Sequence, residues 1–329
     1  MNGSMWIKAL RVIPRISKQE WERLDVIARW LIATRAAVLI MTFISAAIAG
    51  LLALQAGRFN LPHWILLTIG LVFAHATNNL LNDYTDFQRG VDRDNYFRTQ
   101  YGPQPLEQGL MNRRQALVYA AITGAIALAA GLPLVLQGGW IAWLLLAAGA
   151  FFVLFYTWPL KYIGLGEIAV LLVWGPLMVG GGYYVITGQW DWNAVWASLP
   201  YALGTTMVIF GKHIDKLEQD RARGIRTLPV LLGERNARSL ALGMMALQYL
   251  LALLLVISGY FSPLLLIVLA ALYWEPRVWR VFTRPRPAEP PADYPPDTWP
   301  LWYVAAAFYH NRTYGLMYLV GLVLQVIFS

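Results

Sequence analysis

Two short stretches of this chain carry oxygen ligands and positive charge at spacings that suit phosphate chemistry. The first contains His75, Asn78, Asn79, Asn82, Asp83 and Asp86. At about 100° per residue, with His75 set at about 60°, these fall at about 60, 0, 100, 40, 140 and 80° around a helix. All six share an arc of about 140°, and Phe73, Leu80, Leu81, Tyr84 and Phe87 lie outside it. Asn82 and Asp86, one turn apart, can present two oxygens to one ion. Carboxylate and amide oxygens are hard ligands suited to Mg2+, which keeps several waters and bridges to phosphates. Asp92 and Asp94 follow Gly90, where a sharp turn is possible. Arg89, Arg93 and Arg98 share that loop, so phosphate oxygens would find metal and guanidinium together. An interhelical hydrogen-bond seam is the plainer use of such a stripe, but six polar residues exceed what helix packing requires.

The second stretch is Lys212-His213-Ile214-Asp215-Lys216-Leu217-Glu218-Gln219-Asp220-Arg221. In a helix Lys216 and Asp220 pair at i,i+4, with Lys212 one turn earlier. Alone, this reads as a solvated, self-paired helix end. Beside the first cluster it reads as the second of two acidic patches facing one cavity. Two metal-bearing patches around a diphosphate would neutralise it as a leaving group, the demanding part of ionising an allylic diphosphate.

The elements that must position these residues are apolar. The chain has 329 residues, 58% hydrophobic and 13% charged, where a soluble domain would be about a quarter charged. Runs of about 20 mostly apolar residues are long enough to span a bilayer. They fall at about 31–55, 61–81, 114–136, 139–157, 163–187, 194–212, 237–258, 261–282 and 300–328. This predicts an all-α polytopic membrane bundle of about nine transmembrane helices, residues 31–329, preceded by an amphipathic segment over 1–30. Trp6, Ile7, Leu10, Ile13 and Ile16 alternate there with Lys8, Arg11, Arg15 and Lys18, as in a helix lying on a membrane surface. Three inner loops are long, and 283–299 reads as a stiff spacer, with seven prolines between Pro285 and Pro300. With the N-terminus inside, all but Arg58 of the 26 Lys and Arg fall on or beside inner segments. The N-terminus and acidic loops should therefore be cytoplasmic and the C-terminus outside. Membrane orientation, rather than nucleic acid, accounts for the net charge of +8. The absence of cysteine excludes disulfides and Cys-ligated zinc.

At these residues the chain resembles the UbiA superfamily of intramembrane prenyltransferases, over roughly residues 30–325. Asn82-Asp83-Tyr84-Thr85-Asp86-Phe87-Gln88-Arg89-Gly90-Val91-Asp92 is similar to the first Asp-rich motif in its MenA-like form, that of 1,4-dihydroxy-2-naphthoate prenyltransferases. Asp220-Arg221-Ala222-Arg223-Gly224-Ile225-Arg226-Thr227-Leu228 looks like the end of the second motif and its following loop. Tyr156-Thr157-Trp158-Pro159-Leu160-Lys161-Tyr162, then Gly164-Leu165-Gly166-Glu167, is similar to the junction of the fourth and fifth helices. The resemblance implies a bundle around a central cavity open to the cytosolic surface and laterally to lipid. It implies Mg2+-dependent use of a polyprenyl diphosphate and transfer of the allylic cation to an aromatic or lipid acceptor. On matching positions, Asn82, Asp86 and Asp92 would hold metal from the first motif, and Asp220 with Asp215 from the second. Asp86, Asp220 and Lys161 would be catalytic. Lys161, Lys212, Lys216 and Arg98 would reach diphosphate, and Asn78, Tyr156 and Glu167 would border the substrate cavity.

The sequence departs from the family pattern at three places. Gly90 stands where a further carboxylate usually lies, and Gln104 where relatives often carry Arg. Lys216 replaces the usual Asp of the second motif, with Asp215 displaced by one position, which turns a helical side chain by about 100°. Most of the fifteen Trp and seventeen Tyr read as interfacial belt and core packing. Gly175, Gly180, Gly181 and Gly182 suit a substrate groove or close helix contact equally. Glu167 reads as a cap or backbone acceptor, and His213 as structural. Two rivals stay open: an intramembrane terpene cyclase using the same ionisation, and a transporter, against which the clustering of acids at one surface argues.

Overall fold

The computed structural model describes residues 2–91, 102–274, 276–295 and 298–328, apart from the Trp274 side chain, and every described element is helical. The sequence-predicted candidates Asp92 and Arg98, with Arg93 and Asp94, lie outside the described residues. Three short helices open the chain: α1 (Gly3–Arg11), α2 (Lys18–Glu22) and α3 (Val26–Ala33). The bundle follows as α4 (Ala36–Gln55), α5 (Leu61–Gln88), α6 (Arg113–Gln137), α7 (Gly139–Phe155), α8 (Gly166–Thr187) and α9 (Trp192–Asp215). Two short helices, α10 (Leu217–Ala222) and α11 (Leu228–Leu232), lead to α12 (Glu234–Ile257). A 3-10 segment (Pro263–Ala270), α13 (Ala271–Trp274), α14 (Pro276–Thr283) and α15 (Tyr303–Phe328) complete it. Each predicted span coincides with helix. Among the described residues six helices (α4, α5, α6, α8, α9 and α12) are long and apolar enough to cross a membrane. The α7 helix and the segment Pro263–Tyr273 are apolar but shorter.

Three spans are interrupted where the apolar run looked continuous. The first breaks between α3 and α4 at Arg35, which takes a left-handed conformation (φ 54°). The break aims the Arg35 guanidinium at Asp83 and leaves the Thr34 carbonyl for Asn79 Nδ2 at 2.8 Å. In α8, residues Val173–Gly180 form a π-helix around Pro176, whose ring nitrogen has no hydrogen to donate. Ser45 on α4 donates to the Trp174 carbonyl within it. The eighth span is a 3-10 segment followed by α13 and α14.

The most enclosed helix is α9, packed among α8, α12 and α15. Its small residues permit this: a Cβ on Gly211 would sit 2.7 Å from the Tyr303 carbonyl oxygen. By contrast α6 and α7 present Ile122, Leu128, Leu136, Trp140 and Leu144 outward, as helices facing lipid do. The proline-rich segment folds back instead of extending away: Arg286 donates to the carbonyls of Asp215 and Pro300, each at 3.3 Å.

Candidate active site

The polar arc of α5 is divided by its neighbours in the order its angles require. Asn78, at one edge, donates to the Val153 carbonyl of α7 at 2.9 Å. Asp83, at the other edge, pairs with Arg35 beside α4. Between them Asn82 and Asp86 face a cavity that His75, Asn78 and Asn79 also line. His75 Nδ1 lies 2.8 Å from Thr42 Oγ1, and its ring meets the Trp174 ring edge-on. Five of the six stripe residues thus border the cavity. Asp83, the residue at the arc's far edge, serves helix packing.

The turn between α7 and α8 closes the Asp86 end of that stripe. Thr157 donates to Asn82 Oδ1 at 3.1 Å, and Lys161 Nζ reaches Asp86 Oδ1 and Oδ2 at 2.7 and 3.0 Å. Arg89, just past α5, lies 4.7 Å over the Trp158 ring and 5.1 Å over the Tyr162 ring, fixing the turn to the end of α5. Burial pushes the Lys161 ammonium below the ordinary lysine range, and the Asp86 carboxylate opposes that shift. Tyr156 borders the cavity.

From the other side, the end of α9 brings Lys212 and Lys216 to the same cavity. Lys216 Nζ holds Asp220 Oδ1 at 2.9 Å, while Asp220 Oδ2 is buried with no hydrogen-bond partner among the described residues. Lys161 feels the charges of Asp86, Lys216 and Asp220 together. The two acidic patches, one on each side of the turn that carries Lys161, therefore converge.

Two expected site residues lie elsewhere. Asp215, expected to hold metal, accepts the backbone N–H groups of Trp302 (3.2 Å), Tyr303 (3.0 Å) and Val304 (3.0 Å). It caps the start of α15, with Arg286 3.9 Å away, and borders a separate small pocket. The one-residue displacement that replaced Asp by Lys216 turns this carboxylate out of the cavity. Glu167, expected on the cavity wall, is buried behind it. There it pairs with His213 Nδ1 and accepts from the Leu228 N–H at 3.3 Å, fastening the loop after α10. Gln104 is buried, and neither polar atom of its side chain has a partner among the described residues. Arg35 escaped the sequence reading because it sits inside an apolar run; a lone charge there was the available signal.

The cavity has a volume of about 1220 Å³, above the usual range of about 300–1,000 Å³ for ligand pockets. Its polar end is the cluster just described. Its walls are apolar side chains of α4 to α9 and α15, among them Leu67, Leu134, Leu145, Trp174 and Phe308. Among the described residues no three Asp, Glu or His side chains form a metal cluster. The available donors are the Asn82 amide and the carboxylates of Asp86 and Asp220. They fit a hard divalent cation that keeps waters and shares phosphate oxygens, because the buried Asp220 Oδ2 has an empty lone-pair direction.

A helical membrane protein with a long apolar chamber and a lysine- and carboxylate-lined end is built for an amphiphile with an anionic head. The UbiA prenyltransferase family matches residues 42–299, and the chain belongs to that family. It is thus a prenyltransferase-family enzyme and an integral membrane protein. The chain is 30% identical over 249 residues to digeranylgeranylglyceryl phosphate synthase of Natronomonas pharaonis, covering 74% of this chain and 83% of that protein. It is 25% identical over 238 residues to 1,4-dihydroxy-2-naphthoate octaprenyltransferase of Bacillus subtilis (71% and 76%). With a UbiA prenyltransferase domain-containing protein 1 homolog of Drosophila melanogaster it shares 28% identity over 186 residues, half the length of that relative. A UbiA homolog from Aeropyrum pernix K1 superposes with a TM-score of 0.63 at 22% identity, covering 87% of this chain and 98% of that one. A UbiA homolog from Archaeoglobus fulgidus bound to GPP and Mg2+ gives 0.59 at 16% identity, covering 92% and 100%. At these identities the structures share the fold.

Proposed function

We propose that this protein transfers a polyprenyl group from an allylic diphosphate to an aromatic, quinone-precursor-like acceptor within the membrane, with Mg2+ as cofactor. The observation that carries the reading is the convergence of Asn82, Asp86, Lys161, Lys212 and Lys216 on one end of a large apolar cavity, with Asp220 behind Lys216. Family membership and the solved relative bound to GPP and Mg2+ support it. Relatives named for naphthoate and for glyceryl phosphate prenylation support both an aromatic and a lipid acceptor; the MenA-like form of the first motif favours the aromatic one.

In this reading Asn82, Asp86 and Asp220 would hold the divalent cation, which supplies charge neutralisation to the departing diphosphate. Lys161, Lys212 and Lys216 bind the diphosphate oxygens as point charges. The apolar walls take the prenyl chain and exclude water, which would otherwise capture the allylic cation. The allylic C–O bond breaks with its electron pair leaving on the diphosphate. A ring carbon of the acceptor supplies the pair for the new C–C bond, and that carbon then loses a proton, or carbon dioxide from a carboxylated ring. An electron-rich ring needs no strong base before attack, consistent with a site that has no catalytic dyad among the described residues. The shared end of the cavity fits a topology with the N-terminus and acidic loops cytoplasmic and the C-terminus outside.

The test is to supply purified protein with Mg2+, geranylgeranyl diphosphate and 1,4-dihydroxy-2-naphthoate. Diphosphate and a prenylated ring product should appear together and stop with chelator. Product without acceptor would instead establish a cyclase, and no diphosphate release with any aromatic or lipid acceptor would overturn the proposal.

A further inference from the structure

Away from Lys161 the chamber runs between α5, α6, α7 and α8, and the contacts of these helices give it a scale. On α5 the lining continues from Asn78 through Ala74, Leu71 and Gly70 to Leu67, along one face of the helix. The antiparallel α6 is held in register with it at two points. An added Cβ on Gly124 would sit 3.5 Å from Thr77 Cγ2, and one on Gly70 would sit 3.7 Å from the Gly131 nitrogen. That register puts Leu134 level with Leu67. On α7, which runs parallel to α5, the Val153 carbonyl accepts from Asn78. Gly149 therefore stands near the level of Ala74, and Ala142 near that of Leu67.

The chamber ends at the Leu67 level. Leu67, Leu134 and Ala142 line it and are all buried, and a Cβ on Gly182 of α8 would come within 2.9 Å of Leu67 Cδ2. Just beyond, Tyr184 donates to the Gly138 carbonyl at 2.6 Å, and His63 Nδ1 lies 2.9 Å from the Val185 carbonyl. These contacts tie α8 to α5 and to the turn between α6 and α7. From Asn78 to Leu67 the helix rises about 16.5 Å. An isoprene unit advances a chain by four bonds, about 4.5 Å at the geometry that lets three backbone bonds span about 3.3–3.6 Å. Two positions along this arm are open: an added Cβ on Gly149 or Gly131 meets nothing within 4 Å among the described residues, and both glycines line the chamber. They stand about 6 and 12 Å past Asn78.

We infer that the chamber measures the donor, admitting a prenyl chain of about four isoprene units, and that Gly131 and Gly149 keep the arm open to that length. The inference rests on the prenyl-transfer reading and names the donor within it. The chain begins near Asn78, one turn past Asn82, and its far end seats against Leu67, Leu134 and Ala142. Burial of chain carbons adds affinity unit by unit until that floor is reached. A longer chain must bend out past Leu128 and Leu154, which line the chamber but are exposed.

The experiment gives purified protein Mg2+, 1,4-dihydroxy-2-naphthoate and, in turn, dimethylallyl, geranyl, geranylgeranyl and octaprenyl diphosphate. In wild type kcat/KM should climb to geranylgeranyl and climb no further with octaprenyl. In Gly131→Leu the ratio of kcat/KM for geranylgeranyl over geranyl should fall about tenfold or more. Gly149→Leu should lower the ratio of geranyl over dimethylallyl by a similar factor. Each ratio is read within one variant, so loss of folded protein cancels. Gly131→Ala, which adds one carbon, should keep the wild-type ratio within about threefold. Unchanged ratios in both Leu variants, equal losses with every donor, or a further rise with octaprenyl in wild type would overturn the inference. Binding separates this from failure of the transfer reading. Trp174 lines the chamber, so the change in tryptophan fluorescence follows the same donors without acceptor. If none is turned over, affinity that climbs to geranylgeranyl in wild type but stops at geranyl in Gly131→Leu keeps the measured length and sinks the transfer. Affinity indifferent to length overturns the inference even where prenyl transfer holds.

Discussion

Two buried polar clusters lie inside this bundle, and they differ in what they face. Between α9, α12 and α15, Gln248 Nε2 donates to the Pro200 carbonyl at 2.7 Å and Gln248 Oε1 lies 2.6 Å from His310 Nε2. Tyr314 donates to the Gln248 carbonyl and Tyr318 to the Ala197 carbonyl, at 3.1 and 2.7 Å. None of these side chains borders the large cavity, and their hydrogen bonds end on one another or on backbone. At the end of α5 that carries Asp86, amide and imidazole side chains are joined by a carboxylate, and the cluster ends on the cavity and on Lys161, which lines it. Polarity at membrane depth thus marks either glue or a binding site, and the open volume beside it decides which.

The comparison can be broken most decisively at the carboxylates. Asp86→Asn or Asp220→Asn should lower kcat by about 100-fold or more in a diphosphate-release assay, with the melting temperature in detergent nearly unchanged. Full activity in either would make the cavity cluster another packing seam. Gln248→Leu should do the reverse. It strips the Pro200 carbonyl and His310 of a partner and should destabilise by about 2–3 kcal/mol in chemical unfolding, while leaving KM and kcat of the folded enzyme alone. Lys216→Ala should raise the apparent KM for the prenyl diphosphate by about tenfold. An unchanged value would make this lysine only the ion-pair partner of Asp220. The smallest effect is expected for Asp215→Asn, which keeps one acceptor for the three N–H groups at the start of α15. It should cost about 1–2 kcal/mol of stability with little change in turnover, whereas loss of turnover in stable protein would return Asp215 to the metal site.

The angular arithmetic on α5 carried far because helix geometry is local: 100° per residue sets which side chains share a face before any neighbour is present. Even the departure of Asp83 followed from its place at the edge of the arc. The same arithmetic warned that Asp215 points about 100° away from the position Lys216 holds. It could not say that the start of α15 would be waiting there, because Trp302 to Val304 are almost ninety residues distant in the chain. Glu167 was legible as a backbone acceptor. Its partners, His213 and the Leu228 N–H, belong to other elements and appear only when α8, α9 and the loop after α10 are assembled.

Burying about 20 apolar residues in lipid is favourable for each segment by itself, so the sequence alone determined the spans, the all-helical class and the polar stripe. The breaks at Arg35 and across Val173–Gly180 were decided by tertiary partners, since an interrupted helix needs neighbours to receive its freed groups. So was the division of labour among the carboxylates. Asp86 and Asp215 are both buried acids at the C-terminal end of a long helix, and only the packing of the other elements gave one of them Lys161 and a cavity, and the other a helix to cap.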